Sequence, residues 1–180
     1  MSIVSCGECG LLLSAEGVIP PPKDLPCPRC GSLSRRTDVE VDGVNLPATI
    51  DYPNLLLKDA EELIEQSRHG LAVLVAHMAC DIAVQRSLSA AFARKHIGEL
   101  EEPISKSCSG YNLANDRLRE FYTALTGDAI EFEPFWSDFT QSAHRRNRIV
   151  HEGIAAALPA ARESLEAATA LVEHVIRHTA

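Results

Sequence analysis

The sequence predicts a mainly α-helical protein with a small β unit at its N-terminus. Three observations support this prediction. Four cysteines are confined to the first 30 residues, where prolines and glycines interrupt any regular pattern. From residue 54 onward, apolar residues recur at the i, i+3, i+4 spacing of an α-helix. A chain of 180 residues, 46% hydrophobic and 23% charged, can bury one sizeable core and carry a smaller unit beside it.

The N-terminal unit, residues 1–40, contains two Cys-x-x-Cys pairs. Cys6 and Cys9 form the first, Cys27 and Cys30 form the second, and a glycine follows each pair. Pairs with this separation are typical of a tetrahedral zinc site. The segment has few apolar side chains, so four thiolates on Zn²⁺ would supply stability that burial cannot. We therefore predict a zinc ribbon with a structural zinc ion; the alternative is a redox-active cysteine pair.

Residues 41–53 are predicted to be a linker, because two prolines keep the chain extended after the alternating pattern DVEV. Residues 54–180 are predicted to form an all-α bundle of about five helices. Apolar periodicity, ended by glycines, predicts these helices over about 54–68, 71–96, 111–126, 133–152 and 159–178, with a loop over 98–110.

Charge and targeting signals limit the possible functions. The chain has 17 basic and 25 acidic residues, a net charge of −8, which argues against a generic nucleic-acid coat with a broad basic face. The start, MSIVSC, lacks the layout of a secretory signal. The most apolar stretch, residues 71–84, is broken by His77 and Asp81 and is too short to span a bilayer. We expect a cytoplasmic protein without membrane association.

The segment HRRNRIVHEG, residues 144–153, concentrates positive charge in an otherwise acidic chain. On a helical wheel Arg146 lies within an apolar stripe, whereas Arg145 and Arg148 point to the opposite, solvent-facing side. A guanidinium in such a stripe is costly to bury unless an anion meets it. The other members of the predicted stripe are Phe132, Phe135, Phe139, Ala143 and Val150.

Asn147 and His151 lie one helical turn apart on the flank of this stripe, so the amide could orient the imidazole. Arg146 and His151 are about 140° apart around a straight helix. We interpret the three residues as half of a phosphate-handling site that a second copy of the chain completes.

Each candidate residue also has a structural interpretation. Arg146 could pair with a buried acid such as Asp81, and His151 could simply cap its helix. His77 and Asp81, one turn apart, could be a substrate-side pair facing the cleft between Arg146 and His151. They could equally be a mutually satisfied pair in the core.

The segment RNRIVH, residues 146–151, resembles the Arg-polar-x-x-x-His motif of HEPN-domain proteins. HMACDIAVQ (77–85) and LREFYTALTGD (118–128) are similar to other segments of that family, and the resemblance extends over about residues 54–178. It implies a helical bundle that dimerises through the helices bearing the motif. Many members are metal-independent endoribonucleases of toxin–antitoxin, phage-defence or RNA-processing systems, and others are inactive binding modules.

The resemblance also implies roles for the motif residues. Arg146 would hold the scissile phosphate, His151 would move a proton and Asn147 would orient His151. Gly153 stands where one branch of the family has a modifiable tyrosine, so that type of toxin is not predicted.

Two functions remain open from the sequence. The first is a homodimeric endoribonuclease that makes a 2′,3′-cyclic phosphate without a divalent metal, its zinc ribbon recruiting RNA or a partner protein. The alternative is a non-catalytic dimer that senses a nucleotide or docks a protein, which the acidic balance favours. A DNA-binding regulator is disfavoured because no helix-turn-helix with a basic recognition helix is present.

Overall fold

The computed structural model describes residues 2–6, 11–14, 26–31, 35–41, 44–47, 51–108 and 110–179. The chain divides into two compact units, Met1–Ile50 and Asp51–Ala180. The first contains a small sheet and the second is helical. The prediction of a mainly helical protein is thereby confirmed.

The first unit contains a four-stranded antiparallel sheet in the order β2-β1-β3-β4. Its strands are β1 (Ser2–Cys6), β2 (Leu12–Ser14), β3 (Arg35–Val41) and β4 (Val44–Pro47). Strand β1 pairs with β3 along its whole length, from Ser2 opposite Val39 to Cys6 opposite Arg35. Strand β4 lies within the segment predicted to be a linker and pairs with the end of β3.

The second unit contains six described helices, one more than predicted. They are α1 (Tyr52–Glu65), α2 (His69–Arg94), α3 (Glu101–Cys108), α4 (Asp116–Thr126), α5 (Trp136–Glu152) and α6 (Leu158–Thr179). The prediction of a loop over 98–110 is wrong, because α3 occupies most of that segment. This helix has acidic residues in its first turn, which the helix dipole favours there. Only Ile104 and Cys108 pack on the core, so its apolar pattern is too short to find by periodicity.

Helix α2 is the central helix of the bundle and packs against α1, α4, α5 and α6. Its buried alanines, which include Ala76, Ala79 and Ala83, allow neighbouring helices to approach closely. Of the described helices, α2 alone is long and apolar enough to cross a membrane, and 56% of its most apolar window is buried inside the helical unit. The sequence argument considered only residues 71–84, whereas the helix extends over 26 residues.

Helix α5 ends as its sequence predicts but begins later. Gly153 follows the last turn with a φ of 67°, a left-handed conformation that glycine adopts without strain. The helix starts at Trp136, and Phe132 lies before it in a 3-10 turn with 83% of its surface exposed. Val150 is 49% exposed. The apolar stripe predicted for this helix is therefore buried only at its centre, around Phe139 and Ala143.

Candidate functional site

A groove of about 440 Å³ lies between α2, α5 and the loop that precedes α4. Helix α5 contributes Arg146 and Asn147 to its walls, and α2 contributes Asp81. The loop contributes Tyr111 and Asn112. The structure therefore brings together two of the three motif residues and one of the two proposed supporting residues.

Arg146 is half-buried in the wall of this groove. Its Nη1 donates a hydrogen bond to Oδ1 of Asn147 over 3.0 Å. In the described part of the chain, no carboxylate lies within ion-pair distance of the guanidinium. The Arg146 charge is therefore positioned by an amide and is free of a direct ion pair, although Asp81 lines the same groove.

His77 and Asp81 lie on the part of α2 that faces α5. The His77 ring is 2% exposed and stacks on Phe139 with ring centroids 5.7 Å apart. His77 Nε2 and Asp81 Oδ1 are 3.9 Å apart, too far for a hydrogen bond. By strict geometry neither ring nitrogen nor this oxygen forms a hydrogen bond among the described residues, although the Asn112 side chain is near enough to His77 to affect its pKa. Such groups are rare in folded proteins, so this pair differs from an ordinary satisfied core pair.

Burial and Arg146 set the protonation of this pair. The pKa of His77 is lowered to about 4, first by burial and second by the Arg146 charge, while the Asn112 side chain opposes both effects. Burial raises the pKa of Asp81 to about 6, although Arg146 acts in the opposite direction. Near neutral pH the imidazole is neutral and the carboxylate is ionised, but the carboxylate can take up a proton just below neutral pH.

Replacing Asp81 with asparagine should stabilise the helical unit at neutral pH but not in acid. Because the pKa of Asp81 is raised to about 6 in the folded chain, its ionisation opposes folding. Asp81 ionisation costs no stability at pH values below the pKa of this residue in the unfolded chain. The full cost is reached at pH values above its pKa in the folded chain. We expect the gain in unfolding free energy of Asp81→Asn over wild type to grow between about pH 4 and pH 7.

Urea titrations followed by the fluorescence of Trp136, the single tryptophan, measure this gain. Asp59→Asn, an exposed carboxylate on α1, is the matched control and should show no such trend. If the gain in unfolding free energy of Asp81→Asn is the same at about pH 4 and pH 7, the raised pKa assigned to Asp81 is contradicted.

His151 lies apart from the other motif residues within one chain. It is exposed in the last turn of α5 and is not part of the groove wall. In the described structure no hydrogen bond joins it to Asn147, whose amide oxygen accepts from Arg146 instead. One protomer thus presents an arginine–amide pair in a groove and a histidine at its outer edge.

Arg145 has a structural role that the sequence did not predict. Its Nη1 donates to the Ala160 carbonyl over 2.7 Å and to Ser164 Oγ over 2.5 Å, and its Nη2 pairs with Glu163 over 2.9 Å. The prediction that Arg145 faces solvent is wrong, because α6 covers that side of α5. Arg148 is exposed as predicted and pairs with Glu152 over 3.5 Å.

The loop wall of the groove was missed by the sequence analysis. Asn112 Oδ1 accepts from the backbone of Ala114, and Asn115 caps α4 by accepting from the amides of Arg117 and Leu118. Two asparagines three residues apart before a helix are a signal for such a turn and cap. That signal predicts a local backbone shape but not which groove the loop will line.

The first unit contains a separate cluster of cysteines. The Sγ atoms of Cys6, Cys27 and Cys30 all lie within 4.8 Å of one another, and those of Cys6 and Cys30 are 3.5 Å apart. A disulfide needs about 2.0 Å, whereas thiolates on one tetrahedral zinc ion are about 3.8 Å apart. The three cysteines could therefore bind a metal ion. The predicted fourth ligand, Cys9, lies outside the described residues.

Comparisons of the chain with protein families, curated proteins and solved structures found no match. The resemblance to HEPN-domain proteins rests on the motif residues of this sequence.

Proposed function

We propose that the protein is a metal-independent endoribonuclease of HEPN type that acts as a dimer through Arg146, Asn147 and His151. The observation that carries the proposal is the half-buried Arg146 guanidinium, which Asn147 holds in the groove and which forms no direct ion pair in the described structure, although Asp81 lines the same groove. A phosphodiester would supply the missing charge, since a guanidinium binds two phosphate oxygens with parallel hydrogen bonds.

The reaction would be a transesterification within the RNA chain. The ribose 2′-oxygen attacks the adjacent phosphorus, the bond from phosphorus to the 5′-oxygen breaks, and a 2′,3′-cyclic phosphate and a 5′-hydroxyl form. A base must take the 2′-hydroxyl proton and an acid must protonate the leaving oxygen. The His151 side chain of one protomer would take the first proton and return it to the leaving oxygen, while Arg146 of the other stabilises the charge that develops on the phosphate oxygens.

A second copy of the chain is needed because one α5 helix separates its own Arg146 and His151. The first lies in the groove wall and the second is exposed beyond it. Val150 and Ile154, which are 49% and 37% exposed, offer apolar surface at the same helix end. A twofold contact there would bring His151 of one protomer towards Arg146 of the other.

The N-terminal unit would contribute stability and recruitment. Cys6, Cys9, Cys27 and Cys30 would hold one Zn²⁺ ion with a closed coordination shell, which leaves no position for a catalytic water. The zinc would thus be structural, and the sheet around it would bind RNA or a partner protein.

The second candidate function is a non-catalytic dimer that binds a nucleotide or a protein. The net charge of −8 favours this second function, because the acidic chain repels a long RNA. Salt does not screen that repulsion at separations below about 10 Å. A single nucleotide needs only the groove and its one arginine.

The purified protein tests the proposal when it is incubated with a single-stranded RNA in a buffer free of both EDTA and Mg²⁺. We expect wild type to release cyclic-phosphate products and His151→Ala to be slower by about 100-fold or more. His96→Asn, which removes an exposed histidine after the end of α2, is the matched control and should cut normally.

A substrate with a single ribose beside a 2′-deoxynucleotide tract defines the chemistry further. Cleavage should occur only after the ribose, because the 2′-oxygen is the nucleophile. Equal rates for wild type and His151→Ala would exclude the enzyme and leave the binding module.

A further inference from the structure

A second group of metal-ligand side chains lies at the end of α6, away from the cysteine cluster along the chain. His174 and His178 stand one turn apart on this helix, and Asp128 follows α4. One ligand atom from each lies within 4.8 Å of the other two. Asp128 and His174 are 8% and 3% exposed, whereas His178 is exposed.

The buried members of this group are oriented by further side chains. Tyr122 donates its hydroxyl hydrogen to Asp128 Oδ2 over 3.0 Å. His174 Nδ1 lies 3.6 Å from a Glu133 carboxylate oxygen, and its Nε2 lies 3.0 and 3.1 Å from the two Asp128 oxygens. A carboxylate near one ring nitrogen while the other faces a ligand site is common around a metal-bound histidine, although 3.6 Å is an ion-pair distance and not a hydrogen bond.

We infer that Asp128, His174 and His178 bind a divalent metal ion, of which Zn²⁺ fits best. Two imidazole nitrogens and one carboxylate oxygen are the donors that zinc selects, whereas magnesium and calcium prefer oxygen alone. The exposed His178 ring lies beside His174, with centroids 4.3 Å apart, so an ion can enter from solvent. The ion would join α6 to the segment between α4 and α5.

A purely structural hydrogen-bond network is the competing explanation. It accounts for the contacts among Asp128, His174 and Tyr122 without a metal. It assigns no role to His178. The ligand role of His178 therefore separates the two explanations, and its exposure allows substitution without opening the core.

Titration of the full-length chain with Co²⁺ tests the inference. The cysteine cluster gives thiolate charge-transfer bands in the near ultraviolet, whereas an Asp–His–His site gives visible bands without them. We expect wild type to bind one equivalent of Co²⁺ at the Asp–His–His site, seen as visible bands without thiolate charge transfer. His178→Ala should weaken its binding at least tenfold, and Tyr122→Phe about tenfold through loss of the oriented carboxylate.

Glu173→Gln, an exposed carboxylate on the same helix, is the matched control and should bind Co²⁺ as wild type does. Circular dichroism checks that each variant is folded. Identical titrations of His178→Ala and wild type, or spectra with thiolate-type bands alone, would overturn the inference. Either outcome leaves the proposed nuclease unaffected, because Arg146, Asn147 and His151 do not belong to this cluster.

Discussion

Arg146→Ala is expected to slow RNA cleavage about 100- to 1,000-fold, the usual effect of removing one donor that stabilises transition-state charge. The helical unit should stay folded, because the side chain is only half-buried and its one described hydrogen bond is to the exposed Asn147, with a small loss of stability because its charge favours ionised Asp81. Cleavage rates measure the effect on catalysis. Urea unfolding followed by Trp136 fluorescence measures the effect on stability. Arg148→Ala, which removes an exposed arginine from the same helix, should change neither.

An equimolar mixture of Arg146→Ala and His151→Ala tests whether the site is shared between protomers. If each site takes Arg146 from one chain and His151 from the other, half of the dimers are mixed and each contains one intact site. The mixture should then recover about a quarter of the wild-type rate after exchange of subunits. No recovery would place both residues of a site in one chain, and full activity of Arg146→Ala would remove the phosphate site itself.

Cys27→Ser is expected to abolish metal binding by the first unit and to unfold its sheet. In small zinc domains the apparent binding free energy is about 10–16 kcal/mol and is coupled to folding, which exceeds what a unit of this size gains by burial. Zinc content and amide exchange of β1 and β3 measure the loss, while Trp136 fluorescence should report an unchanged helical unit. Cys108→Ser, a half-buried cysteine on α3, is the control and should retain the zinc.

Unchanged amide protection of β1 and β3 in Cys27→Ser would mean that the sheet folds without a metal. The cysteine cluster would then be a reactive thiol group and not a structural support. This outcome would favour the redox interpretation of the Cys-x-x-Cys pairs.

Periodicity predicted the long helices because it depends only on neighbours along the chain. Helices α2 and α6 have long apolar faces, and Gly153 ends α5 as expected. Short elements were missed for the same reason. Helix α3 has too few apolar positions to show a period, and β4 is defined by its pairing with β3.

The candidate site was predicted in part. Arg146, Asn147, His77 and Asp81 were chosen from one-dimensional spacing, and the structure places the two α5 residues and Asp81 around one groove. The loop wall with Asn112 was not predicted. The neighbouring arginines show why. Arg145 and Arg146 are adjacent in sequence, but Arg145 forms hydrogen bonds with α6 whereas Arg146 lines the groove.

The sequence by itself determined which long segments are helical, where cysteines could share a metal, and which helix carries concentrated positive charge. These properties follow from local backbone preference and from the chemistry of residues close in the chain. The tertiary structure alone decided which of the three arginines of α5 lacks a carboxylate within ion-pair distance in the described chain, and that Asp128 meets His174 across 46 residues. Such contacts depend on how helices cross, and crossing is set by the packing of the whole core, which no short stretch of sequence encodes.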